Sequence, residues 1–193
     1  MAHRADRPFL GVGSHLTSDD GACLMELVSV AAGEPWCDDP ACTHPLLSHV
    51  ARRVNDATSD HRRADLARFI PALTRASSDD PLAFARIAAS CTQVAMEDDL
   101  SVLLCALHAA AVRRAGSDDR RRHTLYAHGT AFRSVDLAVL AVLGRPEAVA
   151  DLALRRMLST SLRAVHGPQL SPAGHGLLEH PSGQARTPAR VGR

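Results

Sequence analysis

The sequence predicts an all-α protein, a compact bundle of six to eight helices. Three observations carry this. Aromatic residues make up 3% of the chain against 46% hydrophobic residues, so the core must be built from Ala, Leu and Val, and Ala and Leu favour helix. Apolar residues recur at helical spacing between good capping residues. No segment alternates for long enough to read as a strand. At 193 residues the chain suits one domain better than two. The triplet Ser-Asp-Asp recurs at Ser18, Ser78 and Ser117, but the spacings are unequal, so it reads as repeated capping chemistry. A short superhelix of stacked helix pairs is the alternative architecture.

Residues 1–17 are expected to form a flexible arm. A first helix opens at Ser18, Asp19 and Asp20 and stops at Gly33, with Cys23, Leu24, Leu27, Val28, Val30 and Ala31 on one face. A second begins at Thr43 or His44, with Pro45 in its first turn. Ser59 starts a third and weaker helix that bends or ends near Pro71. Asp80 and Pro81 open a fourth, whose stripe is Phe84, Ile87, Ala88, Cys91, Val94 and Ala95. Leu100 to Arg114 is apolar nearly all round and is expected to be the central buried helix. Phe84, Ile87, Cys91, Leu103, Leu104, Leu107, Val139 and Leu140 are the expected core. A short helix and a stronger one follow, interrupted near Gly129 and closed by Gly144. The last begins at Pro146. These helices make one domain over 18–166. Residues 167–193 are rich in Gly, Pro, Ser and Arg with no apolar period, which predicts a disordered tail.

Composition excludes several functions. Every basic side chain other than His is Arg; there is no Lys. A side-chain Schiff base and a P-loop lysine are therefore ruled out. The absence matches the Ala, Arg, Asp and Pro usage of a GC-rich genome. A net charge of +1 gives no global pull toward nucleic acid or anionic lipid. The Arg pairs lack interleaved aromatics and read as solvated helix surface, so no nucleic-acid partner is expected. The longest apolar run, Leu100 to Val112, is too short to span a bilayer. The N-terminus has no apolar stretch of signal-peptide length. With five cysteines, an odd number, a cytoplasmic location is expected.

The stretch Glu34 to Pro45, EPWCDDPACTHP, stands out. It holds the one Trp, two Cys, a His and three Pro. It is longer than the usual helix-to-helix connection of about 2–8 residues. Trp36, Cys37 and Cys42 do not seek solvent, so the loop should pack on the domain, stiffened by its prolines. Three readings stand side by side. Cys37, Cys42 and His44 form C-x4-C-x-H, a thiolate and imidazole set that zinc prefers, although no second knuckle accompanies it. Cys42 lies near a helix start, with His44 as a base and Glu26 to orient it, which suits a thiol nucleophile. Alternatively Trp36 and the cysteines are anchors and His44 caps the next helix. Cys23, Cys91 and Cys105 lie on apolar faces and read as core. His108 reads as a hydrogen-bonded core side chain.

The block Cys23 to Asp56 resembles an uncharacterised family of small helical proteins from GC-rich bacteria. The shared pattern is C-x-M-E, A-G-E-x-W, D-x-P-x-C-T-H-P and V-N-D. It falls here on Cys23, Met25, Glu26, Ala32 to Glu34, Trp36, Asp38, Pro40, Cys42 to Pro45 and Val54 to Asp56. Asp39 stands where that family carries His, and Cys37 is an addition. The resemblance supplies no activity, but implies that Cys23, Glu26, Cys42 and His44 share one cluster.

Two functions remain open. One is a helical interaction or regulatory module with a rigid Trp/Cys/His loop. The other is a small metal- or ligand-binding enzyme with a Cys/Glu/His site. Binding candidates are Cys23, Glu26, Trp36 and His44; metal candidates are Cys37, Cys42 and His44, with zinc the metal implied. A protein or a small ligand is the expected partner, without a membrane.

Overall fold

The computed structural model describes residues 10–98, 100–117 and 119–167. Residues 1–9 and the expected tail from 168 onward lie outside the described residues. Within them the chain is helical, with no strand beyond two isolated bridges, Leu10 with Ala22 and Thr43 with Ala76. The elements are α1 (Leu24–Ala32), α2 (Pro45–Ala57), α3 (Asp60–Arg63), a 3-10 segment (Ala64–Phe69), α4 (Ile70–Leu73), α5 (Ala83–Ala95), α6 (Val102–Ala115), α7 (Arg120–Leu125), α8 (Ala131–Leu143) and α9 (Glu147–Val165). Seven of these α-helices have six residues or more.

Local chemistry sets the boundaries. Cys23 and Glu26 make a capping box at the start of α1: the Cys23 thiol accepts from the Glu26 N–H, and the Glu26 carboxylate accepts from the Cys23 N–H. The opening expected at Ser18 is instead one 3-10 turn, Ser18–Asp20. His44 caps α2 ahead of Pro45. Buried Arg63 closes the other end of α2 by donating to the carbonyls of Asn55 and Thr58. The weak third helix breaks into α3, the 3-10 segment and α4, with Pro71 in the first turn of α4. α7 and α8 run on through one π-helical turn, Tyr126–Thr130, which holds Gly129.

The centre of the bundle is α5, which packs against α6, α8 and α9, while α2 packs against α8 and α9. Alanines 83, 85, 88 and 95 are buried along α5, and their small size lets three neighbours approach closely. This corrects the expectation for Leu100 to Arg114. Only Leu104 and Ala111 of α6 are buried. Of the expected core, Ile87, Cys91, Leu104 and Val139 are buried, Phe84 and Leu107 are partly so, and Leu103 and Leu140 are 56% and 55% exposed. The face of α1 is also turned: Met25, Glu26 and Ser29 are buried and Val30 is exposed. Leu103→Ala should change unfolding free energy by less than about 0.5 kcal/mol, against about 2 kcal/mol for its buried neighbour Leu104→Ala. Paired urea melts check this.

Candidate functional site

The arm expected over 1–17 is a docked segment where it is described. Leu10 is buried, and the Gly11 N–H donates to the Ala22 carbonyl at 2.8 Å. Asn55 at the end of α2 donates through Nδ2 to the Gly11 carbonyl at 2.7 Å, and its Oδ1 accepts from the Leu24 N–H at 3.3 Å. Asp56 Oδ1 accepts from the Gly13 N–H at 2.8 Å. His15 is then held three ways. Its N–H donates to Glu26 Oε1, its Nδ1 lies 2.9 Å from Glu26 Oε2, and its carbonyl accepts from Trp36 Nε1 at 2.9 Å. Two glycines make room for the ring. A Cβ on Gly11 would lie 2.8 Å from His15 Nε2, and one on Gly21, whose φ is 113°, would lie 3.2 Å from it.

Glu26 is 1% exposed and is surrounded by donors. Burial pushes its carboxyl up. The backbone N–H groups of His15 and Cys23 and the His15 ring outweigh that and hold it below the usual carboxylate range. The neighbouring Cys23 thiol is pushed up to about 12 by burial. Burial, with the Glu34 carboxylate adding to it, also raises Cys42. Both stay protonated at neutral pH, which is the wrong state for a nucleophile.

The Glu34–Pro45 loop is a folded unit. Glu34 reaches across it, accepting from the Ala41 N–H at 2.7 Å and the Cys42 N–H at 2.8 Å. The Cys37 N–H donates to Ser29 Oγ on α1, and Arg52 of α2 donates to the Asp38 carbonyl at 2.7 Å. At the far end the His44 N–H donates to the Ala76 carbonyl, and Thr43 Oγ1 donates to the Leu73 carbonyl. The loop does pack on α1 as expected, but its His serves another end. His44 Nδ1 accepts from the Leu46 N–H, and its ring meets Phe84 edge-on at 4.4 Å. Burial, reinforced by the Arg86 charge and opposed by Asp80, lowers it to about 4.

The one cluster implied for Cys23, Glu26, Cys42 and His44 is thus two. Glu26, joined to Cys23 in the cap of α1, binds the arm; Cys42 contacts Thr43, and His44 contacts Ala76 and Phe84. The partner of Glu26 is His15, not His44, so the triad of Cys42, His44 and Glu26 is corrected. For the metal set, Cys42 Sγ lies 3.7 Å from Thr43 Oγ1, His44 Nδ1 accepts a backbone proton, and Cys37 is half-buried. Among the described residues, the His, Cys and carboxylate groups whose ligand atoms converge within 4.8 Å are instead His61, Glu147 and Asp151. Asp151 there already accepts from Ser59 N–H and Oγ, just ahead of α3.

Two small cavities flank the loop. One of about 200 Å³ is lined in part by Asp39, Thr43, His44 and Ser78. One of about 290 Å³ is lined in part by Cys23, Asp38, His49, Arg52, Arg53 and Asp56. Glu26 lines neither. The residue that sequence reasoning missed is His15. Its signal was a His between glycines in a segment read as free arm, together with a buried Glu that required a donor.

A second feature lies on α6. From Val102 to Val112 the helix carries no charge, yet Val102, Leu103 and Val112 are 87%, 56% and 50% exposed. Leu100 just before it is also exposed. No protein-family model, curated protein or solved structure matches this chain.

Proposed function

We propose that the chain is a helical interaction module and that the outer face of α6 docks a second copy of the same chain. The observation that carries this is the exposure of Leu100, Val102, Leu103 and Val112 along an uncharged stretch of a helix whose inner side, at Leu104 and Ala111, is already packed. A solvated helix face is ordinarily polar, and large exposed apolar patches mark interaction surfaces. Charge at the two ends favours self-pairing as the occupant. Glu97 and Asp98 precede α6, where each also pairs within the chain, with Arg156 at 2.6 Å and Arg145 at 3.1 Å, and Arg113 and Arg114 close it. Two copies laid antiparallel put the acidic end of each beside the basic end of the other, as a two-fold interface requires. Ala106, Ala109 and Ala110, midway along, let the helix axes approach.

In this reading the Glu34–Pro45 loop is scaffold. It fixes α1 and the arm, as the saturation of Glu26 and the capping role of His44 support. Sedimentation equilibrium tests the proposal. The expected mass is twice the 20.6 kDa of one chain. Leu103→Asp should give a monomer with an unchanged circular dichroism spectrum. Arg113→Glu should weaken the dimer, and more so at low salt. A wild-type chain that stays monomeric at every concentration sinks the proposal, as does a dimer indifferent to Leu103→Asp.

A further inference from the structure

A cavity of about 730 Å³ opens between the end of α4, Arg86 of α5 and the last turns of α9. Its volume falls within the range of small-ligand sites. Apolar wall comes from Ala72 and Leu162; Arg75, Arg86, Arg163 and His166 supply the polar rim. None of the described residues lining it carries a carboxylate.

The three guanidiniums are not equivalent. Arg86 is committed. Its Nη2 pairs with Asp80 at 2.7 Å and donates to the Val165 carbonyl, and its Nε donates to the Ala164 carbonyl at 2.8 Å. It thereby covers the carbonyls at the end of α9, which would otherwise repel an anion. The Arg75 guanidinium has no hydrogen-bond or ion-pair partner among the described residues. Arg163 donates only to Ser159 Oγ, at 3.0 Å. Two positive charges without acidic partners thus stand over an apolar wall.

We propose that this cavity binds a single-chain amphiphile with an anionic headgroup. The headgroup sits between Arg75 and Arg163, which suit the bidentate recognition of carboxylate or phosphate, and the chain lies on Ala72 and Leu162. The site is separate from the α6 face and does not depend on self-association.

Titration calorimetry of the full chain with decanoate and with decyl phosphate tests this. Acetate serves as headgroup control and decyl maltoside as chain control. One equivalent of decanoate or decyl phosphate should bind at least tenfold more tightly than either control. The tighter of the two identifies the headgroup as carboxylate or phosphate ester. The double substitution Arg75→Gln, Arg163→Gln should weaken binding at least tenfold and leave the thermal midpoint in place. Equal binding of decyl maltoside, binding no better than acetate, or undiminished affinity in the double variant would overturn the proposal. Oligomeric state, read on the same samples, reports on the α6 face independently.

Discussion

Acidification from pH 6.5 to about 4 should remove about 3 kcal/mol of unfolding free energy at one side chain, His44. The ring is 2% exposed and lies against Phe84, with Nδ1 occupied by the Leu46 N–H. Burial is the larger cause of its depressed pKa; the Arg86 charge adds to it, and Asp80 acts against both. An unfolded His takes its proton near 6.5, and the folded one takes it near 4. Between those values the unfolded chain binds more protons, so stability falls as pH falls. The contribution is whole above pH 6.5 and gone below about 4. At about 1.4 kcal/mol per pH unit the gap is worth about 3 kcal/mol. His49, lowered first by its own burial although Asp136 opposes the shift, acts in the same direction. Asn in place of His44 can still accept the Leu46 N–H as a cap but does not titrate. Urea midpoints of wild type and His44→Asn, followed across this range, should therefore diverge as pH rises from 4 to 6.5. Parallel curves would mean that the ring is not buried as described.

How far the sequence could foresee this depends on the reach of each signal. α2 and α9 were legible because Pro45 and Pro146 mark their starts beside apolar stripes. Gly129 marked the place where regular α-helix gives way, but the break expected there is a π turn through which α7 and α8 run on. Each of those signals sits within a few residues of the feature it sets. The orientation of α6 was not legible. Leu103 and Leu104 are equally apolar, and only the packing of α5 decides that Leu104 is covered and Leu103 is not. A pattern that is apolar on every side names no inner face. The arm was missed for a different reason. Gly11, Gly13 and His15 carry no periodic signal, and their partners Glu26, Asn55 and Asp56 are 11 to 44 residues away. Glu26, Glu34, Asn55 and Asp56 have no role that their local sequence gives them. The geometry supplies the roles: three of the four hold the arm, and Glu34 holds the loop.

Glu26→Ala should cost about 3 kcal/mol and release the arm. Its carboxylate accepts from the His15 and Cys23 N–H groups and pairs with the His15 ring. Hydrogen bonds to a buried charge contribute about 1.5–3 kcal/mol each and are not additive, and the loss leaves the buried Cys23 N–H without an acceptor. The capping box of α1 goes with it. Because the folded carboxyl lies below the ordinary glutamate value of 4.5, this stabilisation is present above that value and is lost as pH falls through the folded one. That window opens within the lower end of the His44 window and extends below it, so the His44→Asn background, which lacks the His44 titration, isolates it on one pH series. The local consequence is sharper than the global one. With His15 freed, Trp36 loses the carbonyl that accepts its indole N–H, and Gly11 and Gly13 keep only Asn55, Asp56 and Ala22. Indole emission should shift, and proteolysis should reach residues 10–17 before the helices open. Glu26→Gln keeps the side chain's shape but turns an amide NH2 toward a backbone N–H, so it should free the arm at a smaller cost in stability. A Glu26→Ala chain that loses under 1 kcal/mol, keeps its Trp36 emission and protects residues 10–17 as well as wild type would show that the arm is held by Leu10 and Asn55 alone.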